Sequence, residues 1–500
     1  MDKASCFIFL LSLLCLSLSH ASTPFSSPPT RKIYPVSLSI DSQSALDSTY
    51  NTPRNENLFI SLMNSYHAYS TDTGTAMALS VVNLLNFIGD NYYLSNRLSY
   101  DTKTGRLTFK WFDYNLLITG LWGLSMWKLG DLMATANHEW SGHTVRALEF
   151  GRTVGQVQID FNGSGFTTYS LLPLTKAAYF PLQEVLISLA GFQANTVLSE
   201  KIVWQLLKTK QPWNNLAAWL YMRSSQNQCR YISSTWNDDY IIKYYDHDGD
   251  DIASYVREMQ RWYGIGSVTV EKLQSLNQWF QYLDPIWYIA LCAIPYSLAY
   301  HQGFDMPMIP IGQIPGLGCS RILPMAKLVL TPYSVLEKRL IVFFDTEYTA
   351  IKFSFGFGKE SKTNKPAEFR SKRQELAYFD ELFKKFQMDS NDAGLLTVPD
   401  ARPPEEHNTY YLELVIGRLF SIDKFDIGLS LALWQQPDLC AKCPRYAAIK
   451  IGGMAVAHLT YHAHTHLNLC VDLGCKSQGF VLGQTVKPTP WLRVGITWML

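Results

Sequence analysis

The chain has 500 residues, a formal net charge of +1 and a composition that is 47% hydrophobic and 14% aromatic. This length exceeds what one hydrophobic core usually organises, so the sequence predicts at least two domains. The balanced charge, with no long run of lysine or arginine, excludes the strong positive field typical of nucleic-acid-binding proteins. We therefore expect no nucleic acid among its partners.

The first residues have the features of a secretory signal peptide. A nearly unbroken apolar stretch runs from Phe7 to Leu18, and the small residues Ser19 and Ala21 follow where signal peptidase would cut. The sequence therefore predicts a signal peptide at 1–21 and a location in the cell envelope, with an uncleaved membrane anchor as the alternative. The cysteines that remain after cleavage are expected to form disulfides in an oxidising compartment.

Four apolar, helix-compatible stretches follow the signal, at 76–88, 116–127, 177–198 and 286–300. Each is shorter or more polar than an ideal transmembrane helix of about 20 apolar residues, yet their composition favours membrane helices over a buried helical core. The sequence thus predicts an N-terminal helical region at 22–110 and a helical, membrane-embedded domain at 111–300. Membrane lipid is accordingly an expected partner.

A segment rich in glycine and proline, 301–320, should interrupt regular structure and link two units. Beyond it, apolar and more polar residues alternate, as at 425–431 and 492–500, which is the period of a half-buried strand. The sequence predicts an antiparallel β-rich domain at 321–500, interrupted by a polar insert at 359–406. A closed β-barrel and a soluble sandwich share this period and are alternatives. The expected fold class is therefore a multi-domain α+β protein.

The strongest candidate for chemistry is the segment 138–143, which contains His138, Glu139 and His143. Imidazoles can bind Zn²⁺, and a neighbouring carboxylate can take a proton from zinc-bound water, whose pKa the metal lowers to about 7. The usual zinc-protease motif has histidines at i and i+4, about 40° apart around an α-helix. Here they stand at i and i+5, about 140° apart, so a regular helix cannot direct both at one ion. A single π-bulge at 140–142 would restore a common face.

Around this segment the chain resembles the site-2 protease family of intramembrane zinc metalloproteases. That family has HExxH, then a β-hairpin, then a helix with a small-Gly-Pro-x-x-Asn pattern. The resemblance covers about residues 115–200 and includes a predicted hairpin at 157–170 and the sequence LAGFQAN at 189–195. The chain departs from the family in the extra residue before His143 and in Phe192, where the family has proline.

The resemblance implies zinc bound by the two histidines, Glu139 as general base and later proton donor, and Asn195 as a group that holds the substrate strand or polarises its carbonyl. The nearest match to the Asp-Gly that supplies the family's third ligand is Asp248, without the preceding Asn-Pro-x-Pro, and Asp251 is a close alternative. An acidic helix N-terminus and a calcium site are competing interpretations of this acidic segment. For Asn195 the alternative is a hydrogen bond that packs two helices.

Histidine and cysteine are also frequent in the predicted β-rich domain. Four histidines share one face of a predicted strand, at His458, His462, His464 and His466. Alternate histidines on a strand can chelate a metal, but a polar face without metal is the favoured interpretation. Four cysteines could complete a further metal site in a reducing compartment, although disulfides are favoured after export: Cys440, Cys443, Cys470 and Cys475.

The function expected from the sequence is that of a membrane-associated zinc metalloendopeptidase. It would hydrolyse a peptide bond of a membrane-associated polypeptide by attack of metal-activated water, with Glu139 as general base. The alternative is a non-catalytic envelope protein, either a barrel with a helical plug or a degenerate protease kept as a binding scaffold. The i, i+5 spacing of the histidines favours this alternative, and the zinc content of the purified protein separates the two.

Overall fold

The computed structural model describes residues 35–41, 75, 100–101, 106–107, 114–170, 173–174, 180–235, 250–263, 267–280, 282–300, 303–333, 337–359, 407–441, 447–464 and 467–499. The predicted signal peptide at 1–21, the apolar stretch at 76–88, nearly all of the polar insert and the candidate ligand Asp248 lie outside these residues.

The described strands are, in chain order, β1 (Pro35–Asp41), β2 (Tyr100–Asp101), β3 (Arg106–Leu107), β4 (Val154–Ile159), β5 (Gly165–Tyr169), β6 (Ile309–Ile314), β7 (Gly318–Val329), β8 (Glu337–Thr346), β9 (Ala350–Lys359), β10 (Asn408–Ile422), β11 (Phe425–Pro437), β12 (Ile449–His464), β13 (Leu467–Lys476) and β14 (Thr489–Met499). Ten of them form one antiparallel sheet in the order β1-β14-β13-β12-β11-β10-β9-β8-β7-β6. The segment 425–431, whose alternating residues predicted a strand, lies in β11, which confirms this prediction. Strand β1 brings the N-terminal region into the same sheet by pairing with β14.

The described helices are α1 (Tyr114–Ala136), a π-helix (Asn137–Thr144), α2 (Val145–Glu149), α3 (Gln183–Thr209), α4 (Asn215–Ser225), α5 (Asn227–Ser234), α6 (Asp251–Tyr263), α7 (Val270–Phe280) and α8 (Pro285–Tyr300). The first three follow one another without a break. Strands β4 and β5 form a separate hairpin between α2 and α3.

No helix within the described part of the chain is long and apolar enough to cross a membrane. The prediction of a membrane-embedded helical domain at 111–300, with transmembrane helices, is therefore wrong. Helix α3 is apolar because protein surrounds it almost completely, and it also buries Glu200. Helix α8 has 16 residues, fewer than the roughly 20 that span the hydrocarbon core. Helix α1 carries Lys128 and Asp131, which form an ion pair with each other.

The helices and the sheet share two hydrophobic clusters. In the first, Trp213 and Tyr221 pack with Met325 and Phe343 from β7 and β8. In the second, α3 and α6 pack with residues of the sheet part such as Phe480. Burial of each large apolar side chain stabilises the fold by about 1.5–3 kcal/mol. The helical and β-rich parts are therefore held together by common cores.

Buried ion pairs also connect α3 to the sheet. Lys352 in β9 lies 3.2 Å from a carboxylate oxygen of Glu200 and 3.0 Å from one of Glu413 in β10. Burial alone would raise the pKa of Glu200, but Lys352 and Lys327 lower it below its ordinary value. We refer to the sheet face that carries Lys327, Lys352 and Tyr411 as the inner face.

Candidate metal centre

The π-helix brings His138 and His143 to the same side of the chain. All residues from Asn137 to Thr144 adopt i→i+5 hydrogen bonding, so side chains five positions apart stand over one another. The predicted bulge at 140–142 is therefore confirmed, and it extends over eight residues. The off-register spacing does not separate the two imidazoles.

Three ligand atoms converge at this point. Nε2 of His138 lies 3.1 Å from Nε2 of His143, and these two atoms lie 2.9 and 3.1 Å from Oδ2 of Asp251. Both histidines are almost fully buried. Ligands bound at about 2.0–2.1 Å to one tetrahedral ion stand roughly 3.3 Å apart, so this triangle has nearly the size that a single zinc ion requires. Among the described residues this is the group of histidine, cysteine and carboxylate side chains that could hold a metal ion.

The second ring nitrogen, Nδ1, of each imidazole also has a hydrogen-bond partner. Nδ1 of His143 donates to the carbonyl oxygen of Ile187 at 2.8 Å, and Nδ1 of His138 lies 3.1 Å from Oδ1 of Asn227. A carbonyl oxygen only accepts, so the proton of a neutral imidazole belongs on Nδ1 and the lone pair on Nε2. Two lone pairs and a carboxylate oxygen then face one another, an arrangement that needs a cation between them. This orientation of ligand histidines by an outer hydrogen bond is typical of metal sites.

A proton is the cation that competes with a metal here. Burial alone would lower the pKa of His143, but Asp251, Glu139 and the Ile187 carbonyl raise it to about 9. Burial alone would raise the pKa of Asp251, and the two imidazoles instead hold it well below its usual range. At neutral pH the metal-free site therefore holds a proton that an incoming metal must displace.

Two glycines make room for the site. A Cβ added at Gly142 would lie 2.6 Å from Cα of Gly191 and 2.7 Å from the carbonyl oxygen of Ala190, so the π-helix and α3 approach as closely as backbones allow. A Cβ at Gly191 would overlap the imidazole of His138. Gly191 is therefore required by its contact with the histidine segment.

Aromatic rings enclose the imidazole of His138. Tyr231 stacks on it with ring centroids 5.5 Å apart, and Phe192 meets it edge-on at 5.3 Å. Tyr231 and Asn227 lie one turn apart on α5, so this short helix presents both residues to one histidine. Phe192, which stands where the site-2 proteases have proline, is thus one of the walls of the site.

Glu139 lies between the histidine segment and the hairpin. Its Oε2 accepts a hydrogen bond from Oγ1 of Thr167 in β5 at 2.9 Å, and its side chain is buried. A Cβ at Gly165, where β5 begins, would lie 2.8 Å from Cγ of Glu139, so the hairpin covers this carboxylate closely. The hairpin predicted at 157–170 is present as β4 and β5. Glu139 is one of the groups that raise the pKa of His143, because its negative charge favours the protonated imidazole.

The third candidate ligand, Asp251, lies at the start of α6. Asp250 caps this helix, because its Oδ1 accepts from the backbone N–H groups of Ile252 and Ala253 at 2.9 and 3.1 Å. The next residue, Asp251, turns its carboxylate to the histidines. Of the two carboxylates weighed from the sequence, Asp251 is in the site. The acidic helix N-terminus considered from the sequence is also present, at the start of α6, and Asp250 is the residue that caps it.

Asn195 is fully buried beside the π-helix. Its Oδ1 accepts from Nδ2 of Asn137 at 3.1 Å, which is the helix-packing bond considered as an alternative to a substrate contact. Its own Nδ2 has no hydrogen-bond partner among the described residues. Sequence reasoning assigned no role to Asn227, Tyr231 or Thr167. The first two belong to no motif, and Thr167 was part of the predicted hairpin only.

His458 and His462 in β12 form separate contacts, while the side chains of His464 and His466 lie outside the described residues. His458 bonds Ser430 and Asp472, whereas His462 bonds Asp426 and Asn468, so these two rings do not share a ligand position. The expected disulfides are not present among the six described cysteines, which are Cys229, Cys292, Cys319, Cys440, Cys470 and Cys475.

Comparison with known proteins found no matching family model, no matching curated protein and no matching solved structure. The resemblance to the site-2 proteases rests on the residues named above.

Proposed function

We propose that the protein is a zinc-dependent endopeptidase whose metal is held by His138, His143 and Asp251. The observation that carries this proposal is the approach of two Nε2 atoms and one carboxylate oxygen to within 3.1 Å of one another. Two nitrogen donors and one oxygen donor leave a fourth tetrahedral position open, as in catalytic zinc sites. Magnesium and calcium prefer all-oxygen ligand sets, so the two imidazoles favour zinc.

Glu139 is the general base of the proposed reaction. When bound, the ion supplies a water of lowered pKa and polarises the carbonyl that is attacked. Glu139 takes the proton of the attacking water and passes it to the nitrogen of the leaving amine. Thr167 donates to one oxygen of this carboxylate and fixes its orientation.

An extended polypeptide is the proposed substrate. The hairpin of β4 and β5 lies against Glu139 and pairs with no third strand within the described residues, so a peptide strand can add to its edge. The predicted role of Asn195 is retained as part of the proposal. Its Nδ2, which lacks an acceptor in the described part of the chain, would donate to a substrate carbonyl.

Metal content is the first test. The purified full-length protein should contain about one equivalent of zinc by elemental mass spectrometry, and His138→Ala or Asp251→Ala should remove it. Glu271→Gln, an exposed carboxylate of α7, serves as the control that keeps the metal. Zinc-free wild-type protein that also takes up no added zinc would overturn the proposal.

Activity is the second test. Glu139→Gln should retain the zinc but cleave a quenched fluorescent peptide library about 10²–10⁴-fold more slowly, because the proton acceptor is lost. Undiminished turnover in this variant would refute the assigned base. If zinc is bound and neither variant nor wild type cleaves any peptide of the library or denatured casein, the endopeptidase assignment fails while the metal site stands.

A further inference from the structure

A second group of side chains on the sheet has the arrangement of a nucleophile, a base and an orienting carboxylate. Oγ of Ser430 lies 2.7 Å from Nε2 of His458, and Nδ1 of His458 lies 2.8 Å from Oδ1 of Asp472. No residue of this group belongs to the candidate metal centre. The proposed peptidase does not use it.

The register of four neighbouring strands produces this arrangement. His458 in β12 stands directly opposite Asp472 in β13, and Asp472 stands opposite Arg493 in β14. Ser430 in β11 pairs with Val456, so it is the diagonal neighbour of His458 on the inner face. Because the positions are fixed by ladder hydrogen bonds, the three functional groups are held on a rigid support.

The hydrogen bonds select the reactive tautomer of His458. Nε of Arg493 donates to Oδ2 of Asp472 at 2.7 Å, and a second guanidinium nitrogen of Arg493 bonds the same oxygen. Burial alone would raise the pKa of Asp472, but Arg493 and His458 hold it well below its usual range, so the carboxylate is ionised. An ionised carboxylate accepts the Nδ1 proton of His458, which leaves the lone pair on Nε2 facing the hydroxyl of Ser430.

The group is reachable from solvent on one side and borders apolar side chains on the other. The side chain of His458 is 28% exposed, whereas Ser430 is almost buried. Val456 faces Ser430 across the ladder, and the next pair along the strands is Ala432 with Met454. These three apolar residues belong to one buried cluster. An ester would therefore reach Ser430 from the exposed side of His458.

We propose that Ser430, His458 and Asp472 form a second catalytic site, which hydrolyses carboxylic esters. Oγ of Ser430 bonds to the ester carbonyl carbon while its proton passes to Nε2 of His458. The bond to the leaving oxygen breaks, and His458 returns the proton to the departing alcohol. Water then attacks the acyl-serine with His458 as base, which releases the acid and restores the hydroxyl. Asp472 and Arg493 are positioning residues.

The test uses a fluorescent fluorophosphonate probe on the purified full-length protein. The probe should label the wild type, and mass spectrometry of the digest should place the adduct on Ser430. Labelling should fall by at least about 100-fold in Ser430→Ala and His458→Gln, as expected for loss of nucleophile or base. Labelling should persist in His462→Gln, because His462 lies on the same strand face but bonds Asp426 and Asn468 and, among the described residues, no serine.

Steady-state hydrolysis of p-nitrophenyl butyrate separates catalysis from folding. Asp472→Asn should lower kcat by at least about 100-fold and leave KM within about twofold, whereas a purely structural role would only lower the amount of folded enzyme. If the Asp472 variant fails to fold, Ser430→Ala, which removes one oxygen atom, replaces it in the same hydrolysis assay and should show the same loss of kcat. Wild type that the probe does not label, an adduct on another residue, or full labelling of Ser430→Ala would overturn the proposal. The probe should label Glu139→Gln as strongly as the wild type. The labelling result therefore tests the second site independently of the proposed peptidase.

Discussion

Substituting Gly191 by alanine should damage the proposed metal centre without removing any of its candidate ligands. A Cβ at this position would lie 2.5 Å from Cδ2 of His138 and closer still to Nε2. Carbon atoms in good contact are about 3.5–4.0 Å apart, so the imidazole has to move by about 1 Å. Metal–ligand distances tolerate about 0.2 Å, and the displaced ring therefore leaves the coordination position.

The two effects of Gly191→Ala have different sizes. Zinc affinity should fall by at least about 100-fold, equivalent to about 2.7 kcal/mol. The free energy of unfolding of the metal-free protein should change less than the free energy of zinc binding. Overpacking destabilises by about 1–3 kcal/mol, and the better helix propensity of alanine offsets about 1 kcal/mol of this. Competition titration with a zinc-binding dye measures the first quantity, and urea unfolding in chelator measures the second.

Gly120→Ala is the matched control for this experiment. Gly120 lies in α1, and a Cβ there would meet no atom within 4 Å. The control should be as stable as the wild type or up to about 1 kcal/mol more stable, with unchanged zinc affinity. If Gly191→Ala binds zinc as tightly as this control does, the inference that His138 must occupy its observed position to bind the ion is wrong.

Three further predictions concern the surroundings of the ligands and the core. With chelator present, the free energy of unfolding should fall by about 3 kcal/mol as the pH rises from about 6.5 to about 9, measured by urea unfolding at several pH values. The reason is that Asp251, against the effect of burial, raises the pKa of His143 in the folded protein to about 9. The resulting stabilisation is complete below the pKa of histidine in the unfolded chain and is lost above the pKa in the folded protein. Asn227→Ala should weaken zinc binding about 10–100-fold in the dye titration, through loss of the acceptor at Nδ1 of His138. Lys352→Met should destabilise the protein by about 3–5 kcal/mol in urea unfolding, because two carboxylates stay buried without their cation, whereas Lys338→Met at the surface should cost less than about 0.5 kcal/mol.

The local features of the site could be predicted from the sequence. The spacing of His138 and His143 required a wide helical turn, and the period of two identified strands such as β11. These signals are readable because each depends on a few consecutive residues. The hairpin beside Glu139 was found in the same way.

The remaining features depend on contacts between distant residues. Asp251 is 108 positions from His143, and nothing local distinguishes it from the aspartate three residues earlier. The alignment of Ser430 with His458 depends on the register of β11 and β12, which turn geometry and side-chain packing set together. The membrane prediction failed for a related reason: hydropathy shows that α3 avoids water but not whether protein or lipid surrounds it.

The π-helix has a consequence for the spacing of the two histidines along the chain. An insertion into a regular α-helix rotates everything downstream by about 100°, whereas here the additional residue is accommodated by the eight-residue π-helix between α1 and α2. Removal of one residue from 140–142 would yield the HExxH spacing of a regular helix. Searches that demand a fixed interval between two histidines pass over chains of this kind, and permitting one additional residue, followed by a small-residue helix, would retrieve them.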